Sequence, residues 1–81
     1  MPYIIKENRE HLESGLLAPA SPGDLNYLFT KEVLDYIDNK GESYQTYNDC
    51  IGALESCKLE LYRRLVARYE DTKVTLNGDV Y

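Results

Sequence analysis

The sequence predicts a mainly α-helical fold of three helices, the last of them long, with a short β element at the chain ends. Three observations carry this expectation. Apolar residues recur at helical spacing from residue 24 onward. Pro19, Pro22, Gly23 and Gly41 divide that pattern, and the period turns from helical to alternating only after Asp71. With 81 residues and 43 % hydrophobic content, the chain has room for a single small helical domain, residues 1–81, and no second core.

Pro2-Tyr3-Ile4-Ile5 has the β-branched and aromatic character of a strand or a packed arm. Lys6 to Leu17 reads as a short, charged helix with a thin apolar face, weakened at its end by Gly15. Ala18 to Gly23 is a break, because two prolines and a glycine cannot continue a helix. Ser21 is a favourable N-cap, Pro22 suits the first helical position, and Asp24 sits in the positive field of the helix start. From Asp24 to Asn39, Leu25, Leu28, Phe29, Val33, Tyr36 and Ile37 follow helical spacing, and Gly41 is the expected stop.

Thr46, with Asp49 three residues on, reads as a variant capping box opening the third helix, expected from Tyr47 to about Asp71. Ile51, Leu54, Lys58, Leu61, Leu65 and Tyr69 form one stripe, apolar but for Lys58, flanked by Cys50, Cys57, Tyr62 and Val66. A helix of that length, roughly 37 Å, is either the spine of the domain or an arm reaching a neighbouring copy. The tail alternates at Lys73-Val74-Thr75-Leu76, and Asn77-Gly78 is a favoured hairpin dipeptide, so a strand and turn are expected there. Tyr3-Ile4-Ile5 is the expected pairing partner of Val74-Thr75-Leu76.

The net charge of −5 excludes a general binder of nucleic-acid tracks, which needs a basic surface. The charge is uneven, however. Residues 1–57 hold four Lys/Arg against ten Asp/Glu, whereas residues 58–73 hold five against three. Eight tyrosines, with one Phe and no Trp, point to many half-buried positions at an interface or a pocket. Cys50 and Cys57 lie about 10 Å apart along one helix, too far for a disulfide, and read as small core residues of a cytoplasmic protein. No hydrophobic signal region or membrane-length apolar run is present, and neither secretion nor insertion is expected.

Chemistry concentrates in residues 58–73. Tyr62, Arg63, Arg64, Arg68, Tyr69 and Lys73 combine forked phosphate donors with aromatic faces, the residue types that hold a nucleotide or another anionic ligand. The competing reading is a solvated face carrying Glu60–Arg64 pairs. Asn26 and Tyr27, just inside the second helix, are secondary candidates for a base edge or a partner chain; the alternative there is a cap plus helix packing. His11 is the sole histidine and no metal-ligand spacing occurs, so no metal, cofactor or catalytic role is assigned.

Pro2-Tyr3-Ile4, Gly23-Asp24-Leu25-Asn26-Tyr27, Asn48 to Glu55, Lys58 to Arg64, Tyr69-Glu70-Asp71 and Asn77-Gly78-Asp79-Val80-Tyr81 together resemble a small uncharacterised family of bacteriophage and bacterial proteins, a domain of unknown function. Arg68 departs from the proline expected in many relatives. The resemblance implies a phage-linked setting, in the host cytoplasm if phage-encoded, and no settled activity. The expected function is therefore non-enzymatic: an oligomeric sponge for a nucleotide immune signal, a cyclic nucleotide or an ADP-ribose derivative. The alternative is a protein–protein interaction module, an inhibitor of a host protein or a small phage accessory component. In both, a homo-oligomer is expected to form through the helices.

Overall fold

The computed structural model describes all 81 residues and is wholly helical, without strands. Helices α1 (Lys6–Glu13) and α2 (Pro22–Lys40) are followed by α3 (Tyr44–Leu61), a π-helical turn (Tyr62–Val66) and α4 (Ala67–Asn77). The last three segments run on without a break, as one long helix. By internal contact the chain divides into two compact units, residues 1–46 and residues 47–81.

In the first unit the expected breakers act where the sequence places them. The Ser21 hydroxyl accepts from the Asp24 amide at 3.1 Å, and the Asp24 carboxylate accepts in return from the Ala20 amide at 3.0 Å. This reciprocal pairing satisfies two groups at the helix start and accounts for the burial of Asp24. Gly41, at φ +91°, ends α2 with its N–H on the Ile37 carbonyl. Helix α1 is shorter than expected, stopping at Glu13 rather than Leu17. Gly15 turns at φ +78°, and the Leu17 amide folds back to the His11 carbonyl at 3.1 Å.

Helices α1 and α2 pack on each other around the buried Leu12. Lys31 links them, reaching Glu13 at 3.5 Å and Asp35 on its own helix at 3.3 Å. The N-terminal arm lies against the start of α2. A Cβ on Gly23 would stand 3.0 Å from Ile4 Cγ2 and 3.3 Å from the Met1 carbonyl oxygen, so the close approach depends on glycine.

The third helix starts earlier than expected. Ser43, not Thr46, caps it: the Ser43 hydroxyl accepts from the Thr46 amide at 3.1 Å and donates to the Thr46 hydroxyl at 3.0 Å, and Thr46 is buried. The far end runs to Asn77, which removes the expected β element. Val74, Thr75 and Leu76 are helical, so Tyr3-Ile4-Ile5 has no strand to pair with; the Ile4 amide turns back to the Pro2 carbonyl instead. Thr72 and Thr75 direct their hydroxyls to the Arg68 and Asp71 carbonyls, which gives each a partner within the helix. The Asn77-Gly78 pair is a helix stop rather than a hairpin, with Gly78 at φ +92° and its N–H on the Val74 carbonyl.

Candidate functional site

The second unit is a single helix with a short tail, and it contains no other element to cover its apolar residues. Leu61, Leu65 and Tyr69 are 53 %, 61 % and 63 % exposed. Cys50 is buried as expected; Cys57, expected in the core, is a free and exposed thiol: one heptad further along the same side of the helix, it has no element covering it. A shallow depression of about 430 Å³ is lined by Cys57, Leu61 and Leu65 with the stems of Glu60 and Arg64.

The spacing of these residues explains the π turn. Alternating steps of three and four keep side chains on one seam of an α-helix. Leu54, Cys57 and Leu61 obey that spacing, and Tyr69 and Leu76 are one heptad apart. Between them, Leu61, Leu65 and Tyr69 take two successive steps of four, which would rotate the seam by about 40° a step on an unbroken α-helix. The π turn widens the ring by one residue, its closing bond running from the Ala67 amide to the Tyr62 carbonyl. It absorbs the surplus residue, so Leu65, Tyr69 and Leu76 stay in line with Leu54, Cys57 and Leu61. The sequence pattern placed Leu54, Leu61, Leu65 and Tyr69 on one stripe, with Cys57 at its flank and Leu76 in the expected strand, and it missed the turn; the two consecutive four-residue steps were the available signal.

The six ligand candidates of the long helix lie on its surface. Arg63 and Arg64 both bond to Glu60 Oε1, Arg63 at 2.7 Å. Such exposed pairs are worth about 0.3–0.5 kcal/mol each and leave the two guanidinium groups engaged within the helix. The Tyr62 hydroxyl donates to Glu70 Oε1 at 2.6 Å across the π turn. That hydrogen bond, then the carboxylate's charge and some desolvation, holds the phenol above its ordinary value of 10.0. Lys73 stands 5.5 Å over the Tyr69 ring, while Arg68 makes no ion pair. The helix thus joins Tyr62 to Glu70 and Tyr69 to Lys73, and no guanidinium of this segment stacks on a tyrosine.

Asn26 and Tyr27 are elsewhere, in the first unit. Asn26 accepts the Thr30 hydroxyl at its carbonyl and its side-chain oxygen. The Tyr27 ring lies under the Arg9 guanidinium at 5.8 Å. Desolvation first, and then the hydrogen bond to Glu13, raise its phenol above 10.0. Both contacts join α2 to α1, so Tyr27 has a packing role. No three His, Cys, Asp or Glu side chains converge as metal ligands, and no helix is long and apolar enough to cross a membrane.

Compared with known protein families, residues 1–80 match the model of the domain of unknown function DUF6899, and the chain belongs to that family. No curated protein and no solved structure matches it.

Proposed function

We propose that this protein is a non-enzymatic protein-interaction module whose working surface is the apolar stripe of its long helix. One observation carries the reading: Leu61, Leu65 and Tyr69 are more than half exposed, and a π turn keeps them aligned across an extra residue. Contiguous exposed apolar surface marks interaction sites, and π turns in helices concentrate at functional positions. The amphipathic helix is also a common means of protein recognition, with anchors at three- and four-residue steps. The test is a pull-down from the cells that carry the protein, comparing the wild type with the double variant Leu61→Glu/Leu65→Glu. Proteins retained by the wild type and released by the variant support the reading; equal retention overturns it.

A second reading rests on Arg68 and Lys73, which have no carboxylate partner and flank Tyr69. Two free cations beside an aromatic ring suit an anionic nucleotide, the sponge expected of a phage-encoded protein. It ranks second because Arg63 and Arg64 are held by Glu60. Calorimetric titration with cyclic nucleotides and ADP-ribose tests it. Heat lost in Arg68→Ala supports this reading, and no heat with the folded wild type ends it.

A further inference from the structure

Resting on the reading of the stripe as an interaction surface, we propose that its occupant is a second copy of this chain, paired antiparallel about a two-fold axis at the π turn. The aligned positions Leu54, Cys57, Leu61, Leu65, Tyr69 and Thr72 form a ladder nearly symmetric about that turn. Reversing a second copy across it sets Leu61 against Leu65, Cys57 against Tyr69 and Leu54 against Thr72 of the other chain, each layer occurring twice. This isologous pattern is the self-complementarity that a two-fold dimer requires. Leu54, Leu61, Leu65 and Tyr69 are 42 %, 53 %, 61 % and 63 % exposed, so the ladder has apolar surface for a second copy to cover. The pairing is expected to depend on concentration.

The charges flanking the seam choose the direction. Glu60 and Arg68 occupy equivalent positions one heptad apart, once the extra residue of the π turn is counted, on the same edge of the ladder; Lys58 and Lys73 lie on the other edge. In the antiparallel pair Glu60, which engages Arg63 and Arg64 of its own chain through Oε1 alone, faces Arg68 of the second copy, twice, and Lys58 and Lys73 fall opposite the apolar Val66 and Ile51. A parallel pair instead sets Arg68 against Lys73 of the second copy, twice, which is repulsive, and stacks Cys57 on Cys57. Arg68 makes no ion pair within its own chain and is free for this contact, and Cys57 is an exposed thiol able to report on its neighbour.

Sedimentation equilibrium of the full chain under reducing conditions, across the micromolar range, tests the pairing. A monomer–dimer equilibrium is expected, abolished by Leu61→Glu/Leu65→Glu with helicity by circular dichroism unchanged. Direction is tested by Arg68→Glu. Antiparallel pairing then weakens about tenfold and is restored by adding Glu60→Arg, whereas parallel pairing strengthens. Oxidation of Tyr69→Cys gives an intermolecular bridge from Cys57 to position 69, identified by peptide mapping. A wild-type Cys57–Cys57 bridge, tighter association in Arg68→Glu, or a strictly monomeric wild type overturns the proposal. In the last case the interaction reading still stands or falls on the pull-down, so the two failures are distinguishable.

Discussion

Residues 1–46 and 47–81 use their apolar side chains in opposite ways. In the first unit the Pro- and Gly-rich break between α1 and α2 lets one helix fold back on the other, so Leu12 finds its cover inside the chain and falls to 5 % exposure. The second unit has no such break. Its residues propagate one helix, and nothing within a single straight element buries a stripe; Leu65 is 61 % exposed although it is no less apolar than Leu12. Burial of a leucine in this protein is decided by where the chain can turn, not by the residue. Helices of this kind draw most of their stability from packing an apolar face, and the second unit holds no further element to supply that packing.

The largest expected effect that sharpens this contrast is Leu12→Ala. Truncating a buried leucine costs about 2–4 kcal/mol through lost transfer energy and the cavity left behind. Leu65→Ala, on the exposed stripe, should change the unfolding free energy of the dilute protein by less than about 0.5 kcal/mol. Urea titration followed by circular dichroism at low and high concentration separates the two. Leu12→Ala loses stability at both, Leu65→Ala only at the concentration where association occurs.

Next in size are the caps of α2 and of the long helix, which act by the same chemistry. Ser21→Ala removes the acceptor of the Asp24 amide, and Ser43→Ala that of the Thr46 amide. Each should cost about 1 kcal/mol, measured by the same titration. An appreciably larger loss for Ser21→Ala would mean that the reciprocal Asp24–Ala20 bond, with its buried carboxylate, collapses with it.

The caps also mark how far the sequence was legible. Ser21-Pro22 and Gly41 were readable because each supplies something few other residues do: an acceptor with a preset φ, or a positive φ. Asn77-Gly78 misled for the same reason. A hairpin and a helix stop both need glycine at positive φ, and only the helix arriving from Ala67 decides between them. Val74-Thr75-Leu76 alternates like a strand, yet a strand needs a partner, and with none these residues continue the helix that arrives from Ala67. At the candidate site, the Glu60–Arg64 pair was readable from four-residue spacing. Cys57 was not, since its exposure depends on the absence of a covering element.

A smaller effect is expected at the π turn itself. Deleting Arg63 shortens the segment by one residue, so that Leu61, Leu65 and Tyr69 regain steps of three and four and the helix can close as an ordinary α-helix. The seam survives the deletion. Melting temperature should rise by a few degrees, equivalent to about 1 kcal/mol or less, and self-association should hold or tighten. Loss of both would show that the wide turn is needed in its own right, for what its carbonyls or Tyr62 contact.

The smallest effect concerns the contact that spans that turn. Tyr62 donates to Glu70 at 2.6 Å, and its phenol is held above 10.0 chiefly by this bond. A raised folded-state value means that the neutral phenol is the form the fold favours. The contribution is therefore complete below pH about 10 and is lost as pH rises through the raised value, with nothing expected of this group on the acid side. Exposed as the pair is, the effect is best read at the tyrosine rather than in global stability. Nuclear magnetic resonance of ring-labelled tyrosine should show Tyr62 titrating above the ordinary value and returning toward it in Glu70→Gln. Tyr27, raised first by desolvation and only then by Glu13, belongs to the packed helix pair and should keep part of its shift when Glu13 is neutralised. An equal and full return of both phenols would erase the distinction between a tyrosine packed between two helices and one whose partner lies on the exposed face of a single helix.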